Sequence, residues 1–328
     1  MIKAAQLSQQ FHKLPAAIAM VVIASLYVVV VTALGLYIGD DAMSPGLLAE
    51  LLKPMPMWVG VTANIIFNLG IMALMVLTNR AFNVLRALSW LHVGLFAVMQ
   101  AAEPFSLLHF GSGSIVAAII MVCTMLMFST YSDPTQVRKV FLTFLLLSLG
   151  TAIQYGFIFY IPVFLLMCAQ MRIMSPRAIS AALLGIATVW IILLGFGIIS
   201  INDIHMPQIT DVFTAMESRS VLYTLGVIGI TVLLLILSVT ANVLKTIAYN
   251  AKARAFNGAM LVTALATLVA LIIDFDNMAG YLPLLNVCAA YQITHYFVNH
   301  RYERQYIGVI GVIAIYIALY IWRFLLSL

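Results

Sequence analysis

Residues 15–39 read PAAIAMVVIASLYVVVVTALGLYIG, twenty-five residues without a charge, and Asp40-Asp41 follow at once. A helix needs about 20 apolar residues to cross the hydrocarbon of a bilayer, so this stretch is long enough to span. It is also too long for the apolar core of a secretory signal, which runs about 7–15 residues, and it ends without a small-residue cleavage site. It is therefore expected to stay in the protein as a first transmembrane helix. That reading sets the class: an all-α, polytopic membrane bundle.

The rest of the chain repeats the pattern. Of 328 residues, 64% are hydrophobic and only 8% charged, against about 45–50% and 25% in soluble domains. Soluble, disordered and collagen-like classes are excluded on that basis. Eleven spans are expected, near residues 15–39, 57–78, 87–102, 113–130, 140–154, 156–171, 178–201, 219–243, 257–273, 280–298 and 306–326. They form one integral membrane domain over residues 1–328. Only Gln154-Tyr155-Gly156 interrupts the apolar run 140–171, which is read as a tight hairpin of two short spans because both its flanks are basic. The three cysteines all fall inside apolar runs, which argues against disulfides and against a clustered zinc site.

Charge gives a second, independent pattern. With the N-terminus cytoplasmic and the C-terminus outside, thirteen of the sixteen Lys and Arg fall on inner segments and nine of the eleven acids on outer ones. The inner surface carries +11 and the outer −6. Short cytoplasmic loops are enriched in Lys and Arg, so this distribution orients the chain in the plasma (inner) membrane. A net charge of +5 dispersed in this way is not the basic stripe of a nucleic-acid binder.

Chemistry is then sought on the outer face. Asp40-Asp41 close the first span, Glu103-Pro104 the third, Asp203-Ile204-His205 the seventh and Asp274-Phe275-Asp276 the ninth. Outer loops tolerate acids, so solvated loop charge is the plain reading. Two adjacent carboxylates can also share a divalent cation or supply a general base. The outer bases are only Lys53, Arg219 and Arg323. Lys53 and Arg219, with His205 and Glu103, are the candidate phosphate and substrate contacts. Arg323 is read as a long side chain snorkelling to the interface. Inside the membrane, Asn64 and Asn68 share one side of the second helix, and His92, Gln100 and Glu103 one side of the third. Such residues either bond neighbouring helices or line a cavity or proton path. Gly111-Ser112-Gly113-Ser114 reads as a flexible turn. No phosphate loop, H-E-x-x-H or G-x-S-x-G motif is present.

The acidic pair of Gly39-Asp40-Asp41 after the first span, the Leu-rich interfacial segment behind Ser44-Pro45, and the short third to sixth spans resemble membrane-embedded, polyprenyl-phosphate-dependent glycosyltransferases of GT-C type. The likeness covers about residues 1–200. It implies that Asp40 or Asp41 is the catalytic acid or base, that Arg219 or Lys53 serves the lipid phosphate, and that the substrate is a polyprenyl-linked sugar. The first outer loop is shorter than in that group, and a soluble C-terminal domain is missing from these residues. Two other functions fit the same features: a secondary transporter or lipid flippase with a cavity lined by Asn64, Asn68, His92 and Gln100, and a non-catalytic assembly subunit.

Overall fold

A computed structural model of the chain describes residues 8–35, 57–108, 111–198, 219–246, 248–299 and 305–327. Every described element is helical. The helices are α1 (Leu14–Ala33), α2 (Met57–Phe82), α3 (Leu91–Ala101), the one-turn α4 (Pro104–Leu108), α5 (Ser112–Phe128), α6 (Val137–Ile153), α7 (Tyr160–Gln170), α8 (Pro176–Gly195), α9 (Arg219–Thr246), α10 (Ala251–Ile273), α11 (Met278–Asn299) and α12 (Gln305–Ser327). A 3-10 turn, Tyr155–Phe159, precedes α7.

Local sequence explains the breaks. Pro15 and Pro176 sit in the first turns of α1 and α8, where a missing N–H costs nothing. Ser175 Oγ caps α8 by accepting from Ala178 N at 3.2 Å, and Asn250 Oδ1 caps α10 from Ala253 N at 2.8 Å. Gly197, at φ +65°, ends α8: Ile198 N donates to Leu193 O and Gly197 N to Leu194 O, the reciprocal pair of a Schellman ending. Gln154 adopts an extended backbone (φ −147°, ψ 129°) and separates α6 from the turn before α7. Residues 140–171 thus form two helices rather than one. Ser132 N donates to Met171 O at 2.9 Å, so the beginning of this pair and its end lie together.

Two helices are enclosed. All eleven residues of α3 are buried, as are nearly all of α11 from Tyr281 to His295. Helix α11 packs against α3, α5, α9 and α10; α3 packs against α1, α2 and α11; α8 lies outside α6. Six helices are long and apolar enough to cross a membrane: α1, α2, α8, α9, α10 and α12. Their outward faces expose Ile18, Val22, Leu26, Ile66, Leu183, Ile191, Leu233, Leu237, Ile310 and Ile321. Apolar surface on that scale is not left in water, and the chain is a multi-spanning membrane protein. Helix α11 is as long but less apolar, since a helix sheltered by its neighbours can carry Asn286, Gln292 and His295.

The bundle has two chemically different ends. At one, Trp90 N donates to His12 O, Arg86 stacks over Tyr249 at 4.2 Å, and Lys252 faces Tyr131 at 6.0 Å. Lys245 Nζ donates to Asn299 O at 3.0 Å there. Basic residues dominate this end, and Asp133 is spent locally on Thr135 and Gln136, whose hydrogen bonds hold its carboxyl below the usual range. The opposite end holds Glu103, Asp274 and Arg323.

A titratable contact at the basic end gives a pH dependence. His12 Nδ1 lies 2.8 Å from Ser89 Oγ, and burial holds its imidazole below the ordinary 6.5. The folded state then binds the His12 proton less well than the unfolded one, so the stability this group confers is present above pH 6.5 and lost as pH falls below it. The melting temperature of detergent-solubilised protein should drop on acidification through that range. The drop should be smaller in His12→Gln; equal drops in both proteins would refute the assignment.

Candidate functional site

The end opposite the basic loops collects buried and half-buried polar groups from α2, α3, α4, α5, α9, α11 and α12. Asn64, two turns into α2, donates from Nδ2 to Ser106 O at 2.6 Å and Leu107 O at 2.8 Å, tying α2 to the segment after α3. Ser114 Oγ donates to Asn64 Oδ1 from the first turn of α5. Asn68 Nδ2 donates back to Asn64 O at 2.9 Å. Gln100 Nε2 reaches Ser106 Oγ at 3.3 Å, and Asn286 Nδ2 donates to Gln100 Oε1 at 3.0 Å across the two enclosed helices. One chain of side chains therefore joins α2, α3, α4, α5 and α11. Asn68 Oδ1 and Asn286 Oδ1 are buried in it without an acceptor's partner. A buried, unmatched carbonyl costs about 1–3 kcal/mol, and such groups mark places for water or ligand.

Of the four residues expected to line a cavity, Asn64, Asn68 and Gln100 belong to this one network. His92 does not. It sits two turns deeper, its ring 5.2 Å from Tyr291 and both ring nitrogens buried. The shared face of α3 is real, but the residues opposite differ: Asn286 meets Gln100, whereas an aromatic ring meets His92.

Glu103 is the charged member of the site. It is 3% exposed, and its Oε2 accepts from Thr224 Oγ1, one turn into α9, at 3.0 Å. Its backbone carbonyl accepts from Ser106 Oγ at 2.9 Å, which links it to the amide chain. Arg323 lies near enough for its charge to act on the carboxyl. Arg323 is 2% exposed, with its guanidinium 4.7 Å from the Tyr223 ring. This corrects the expectation of snorkelling: α12 packs against α3 and α9, and Arg323 is on the side of its last turns that is buried. Tyr223 Oη donates to Ala102 O at 2.6 Å, Tyr320 Oη donates to Val98 O, and Tyr27 stacks on Tyr320 at 4.0 Å. Three aromatic rings from α1, α9 and α12 thus surround a buried acid and a buried base.

A smaller cluster adjoins at the same end. Tyr281 Oη donates to Asp274 Oδ2 at 2.6 Å and Asn277 Nδ2 to Asp274 Oδ1. Asp274 is committed to these bonds. Gly113 meets Gly280 backbone to backbone, so the predicted flexible turn at 111–114 is instead the start of α5, held by close helix packing.

Asp40, Asp41, Lys53 and His205 lie outside the described residues. Arg219 opens α9, but its side chain lies outside them too. Among the described residues, no group of three or more His, Cys, Asp or Glu could hold a metal ion. Thr224, Ser106, Ser114 and Arg323 were not singled out as site residues by sequence. Serine and threonine in apolar helices bond their own backbone as readily as a neighbour, and only contact geometry separates the two cases. No family model, curated protein or solved structure matches the chain.

Proposed function

We propose that the protein handles the polar head of a polyprenyl-phosphate-linked sugar or glycan at the Glu103 end of the bundle, as a membrane-embedded glycosyltransferase of the plasma membrane. The observation that carries the reading is the concentration of buried acid, base, amide and hydroxyl groups at that one end, within a bundle whose sides are apolar. An intramembrane ionisable residue is by default a functional group with a partner.

In this reading Asp40 or Asp41 takes the proton of an acceptor hydroxyl, whose oxygen attacks the anomeric carbon. The bond from that carbon to the phosphate oxygen breaks, and polyprenyl phosphate leaves with its electrons. Arg219, Lys53 and His205 offer positive charge or hydrogen bonds to the leaving phosphate. The likeness of the first spans to GT-C type enzymes supports the choice of substrate class.

The test is genetic and chemical together. Asp40→Asn with Asp41→Asn should abolish glycan transfer while the protein still elutes as a folded species, and a deletion strain should accumulate a polyprenyl-linked precursor. Retained transfer by the double variant would exclude this role. A second reading, a secondary transporter or flippase, is favoured by the amide chain Asn64–Ser106–Gln100–Asn286 that runs inward from the same end. It predicts substrate movement in proteoliposomes that survives loss of both aspartates and fails in Gln100→Leu.

A further inference from the structure

At the basic end, the turn between α2 and α3 places Asn83 at φ +52° and Arg86 at φ +59°. Left-handed backbone is strained for an arginine, and the protein clamps it there. The Asn79 side chain, 4% exposed, accepts from Leu85 N at 2.9 Å and donates to Ala87 O at 3.0 Å, one residue on each side of Arg86. Held so, the guanidinium lies 4.2 Å from the ring centroid of Tyr249, in the turn between α9 and α10. Four residues before Arg86, Phe82 meets Phe256 of α10 edge-on at 5.7 Å. The first turn is therefore seated on the second.

Cations gather around this seat without acids. Lys252 and Arg254 are exposed in the first turn of α10, where the partial positive charge of a helix start disfavours them. Lys252 Nζ lies 5.6 Å from the Phe256 ring. Asp133 is the one acid among the described residues at this end, and it is bound to Thr135 and Gln136. The Tyr249 hydroxyl is buried with no acceptor among the described residues. The inward bias of Lys and Arg explains basic residues at one end. It does not explain a strained arginine clamped over a ring beside two further cations. Apolar surface adjoins them: Leu88, two residues after Arg86, is 82% exposed, and Val243 of α9 is 42% exposed. An anion that carries hydrocarbon suits both features.

We infer that these two seated turns hold the phosphate of an anionic phospholipid from the leaflet they face, with Arg86, Lys252 and Arg254 as its cations. The Tyr249 ring supports one face of the Arg86 guanidinium, which leaves the in-plane fork of N–H donors for two phosphate oxygens. Lys252 and Arg254 add charge, and the phosphate offsets their repulsion by the start of α10. Leu88 and Val243 then meet the acyl chains. Basic pockets between helices recognise lipid headgroups in this way. The site is at the opposite end of the bundle from Glu103 and stands whichever reaction or transport occurs there.

The full chain in detergent micelles is titrated with phosphatidylglycerol, with phosphatidylcholine of the same acyl chains, and with inorganic phosphate, while its melting temperature is followed. Phosphatidylglycerol should raise the melting temperature saturably, and the other two should not. Arg86→Gln should weaken the apparent affinity for phosphatidylglycerol about fivefold, the worth of one basic residue at an anionic membrane surface. Arg86→Gly removes the same charge and also relieves the left-handed backbone. It should melt no lower than wild type with phosphatidylcholine and still lose affinity for phosphatidylglycerol to the same extent. An arginine with a structural role only would give the reverse, a lower melting temperature with the affinity kept. Arg177→Gln removes an exposed charge at the same end, on α8, and should leave the affinity unchanged. Unchanged affinity in both Arg86 variants overturns the site, and so does an equal loss in Arg177→Gln, which would mean diffuse surface charge. No shift with phosphatidylglycerol, or an equal shift with phosphatidylcholine, overturns it as well. An equal shift with inorganic phosphate overturns the lipid as the occupant.

Discussion

Glu103→Ala should lower the stability of the folded protein by about 3–5 kcal/mol, and adding Arg323→Leu should recover most of the loss. Both side chains are buried within 3% exposure. Removing the carboxylate takes away the negative charge that acts on the Arg323 guanidinium and the acceptor of the 3.0 Å bond from Thr224 Oγ1. Replacing the base as well removes the uncompensated charge, and an apolar side chain then packs against Tyr223 and Tyr320. Equilibrium denaturation of the two single variants and the double variant in mixed micelles measures the coupling. Additive losses would mean that the two charges do not interact.

Gly113→Val should be as damaging for a different reason. A Cβ at Gly113 would lie 2.6 Å from Gly280 O and 3.0 Å from Gly280 Cα, and the obstruction is backbone that no rotamer change can move. Gly185 is similar: its Cβ would fall 2.6 Å from Phe141 O, where α8 crosses α6 beside Ala178, Ala181 and Ala182. Small residues at such crossings let helices approach within contact of their main chains. Overpacking at Gly113 should cost about 3 kcal/mol, the upper end of its usual range, and displace α5 from α11. Gly70 is the control. It lies within α2 with nothing within 4 Å of an added Cβ, so Gly70→Ala should be neutral or stabilise by about 0.5–1 kcal/mol through reduced backbone freedom. Equal effects at the two positions would show that helix propensity, not close approach, governs both.

These two experiments mark the boundary between what was legible in the sequence and what was not. Each expected span overlaps a described helix, and six of these helices are long and apolar enough to cross a membrane. The break at Gln154 was legible too, since the basic flanks of 140–171 demanded a return. The polar face shared by Asn64 and Asn68, and that of Gln100 and Glu103, followed from helical spacing alone. Their partners did not. Asn286 lies 186 positions from Gln100, Thr224 lies 121 from Glu103, and Arg323 comes from the final helix. Hydropathy gave no reason to treat Arg323 differently from any cation near a helix end.

The amino-acid sequence by itself determined that this is a polytopic helical protein with bases and acids sorted to opposite segments. Those are sums over neighbouring residues, and water, lipid and the orienting bias of Lys and Arg act on them directly. The tertiary structure decided which helices are shielded from lipid and therefore which polar residues are interior. Lateral packing of α3 and α11 turns scattered asparagines, glutamines and serines into one connected network. It also places a carboxylate and a guanidinium from distant helices in the same buried space, where the low dielectric makes each charge depend on the other.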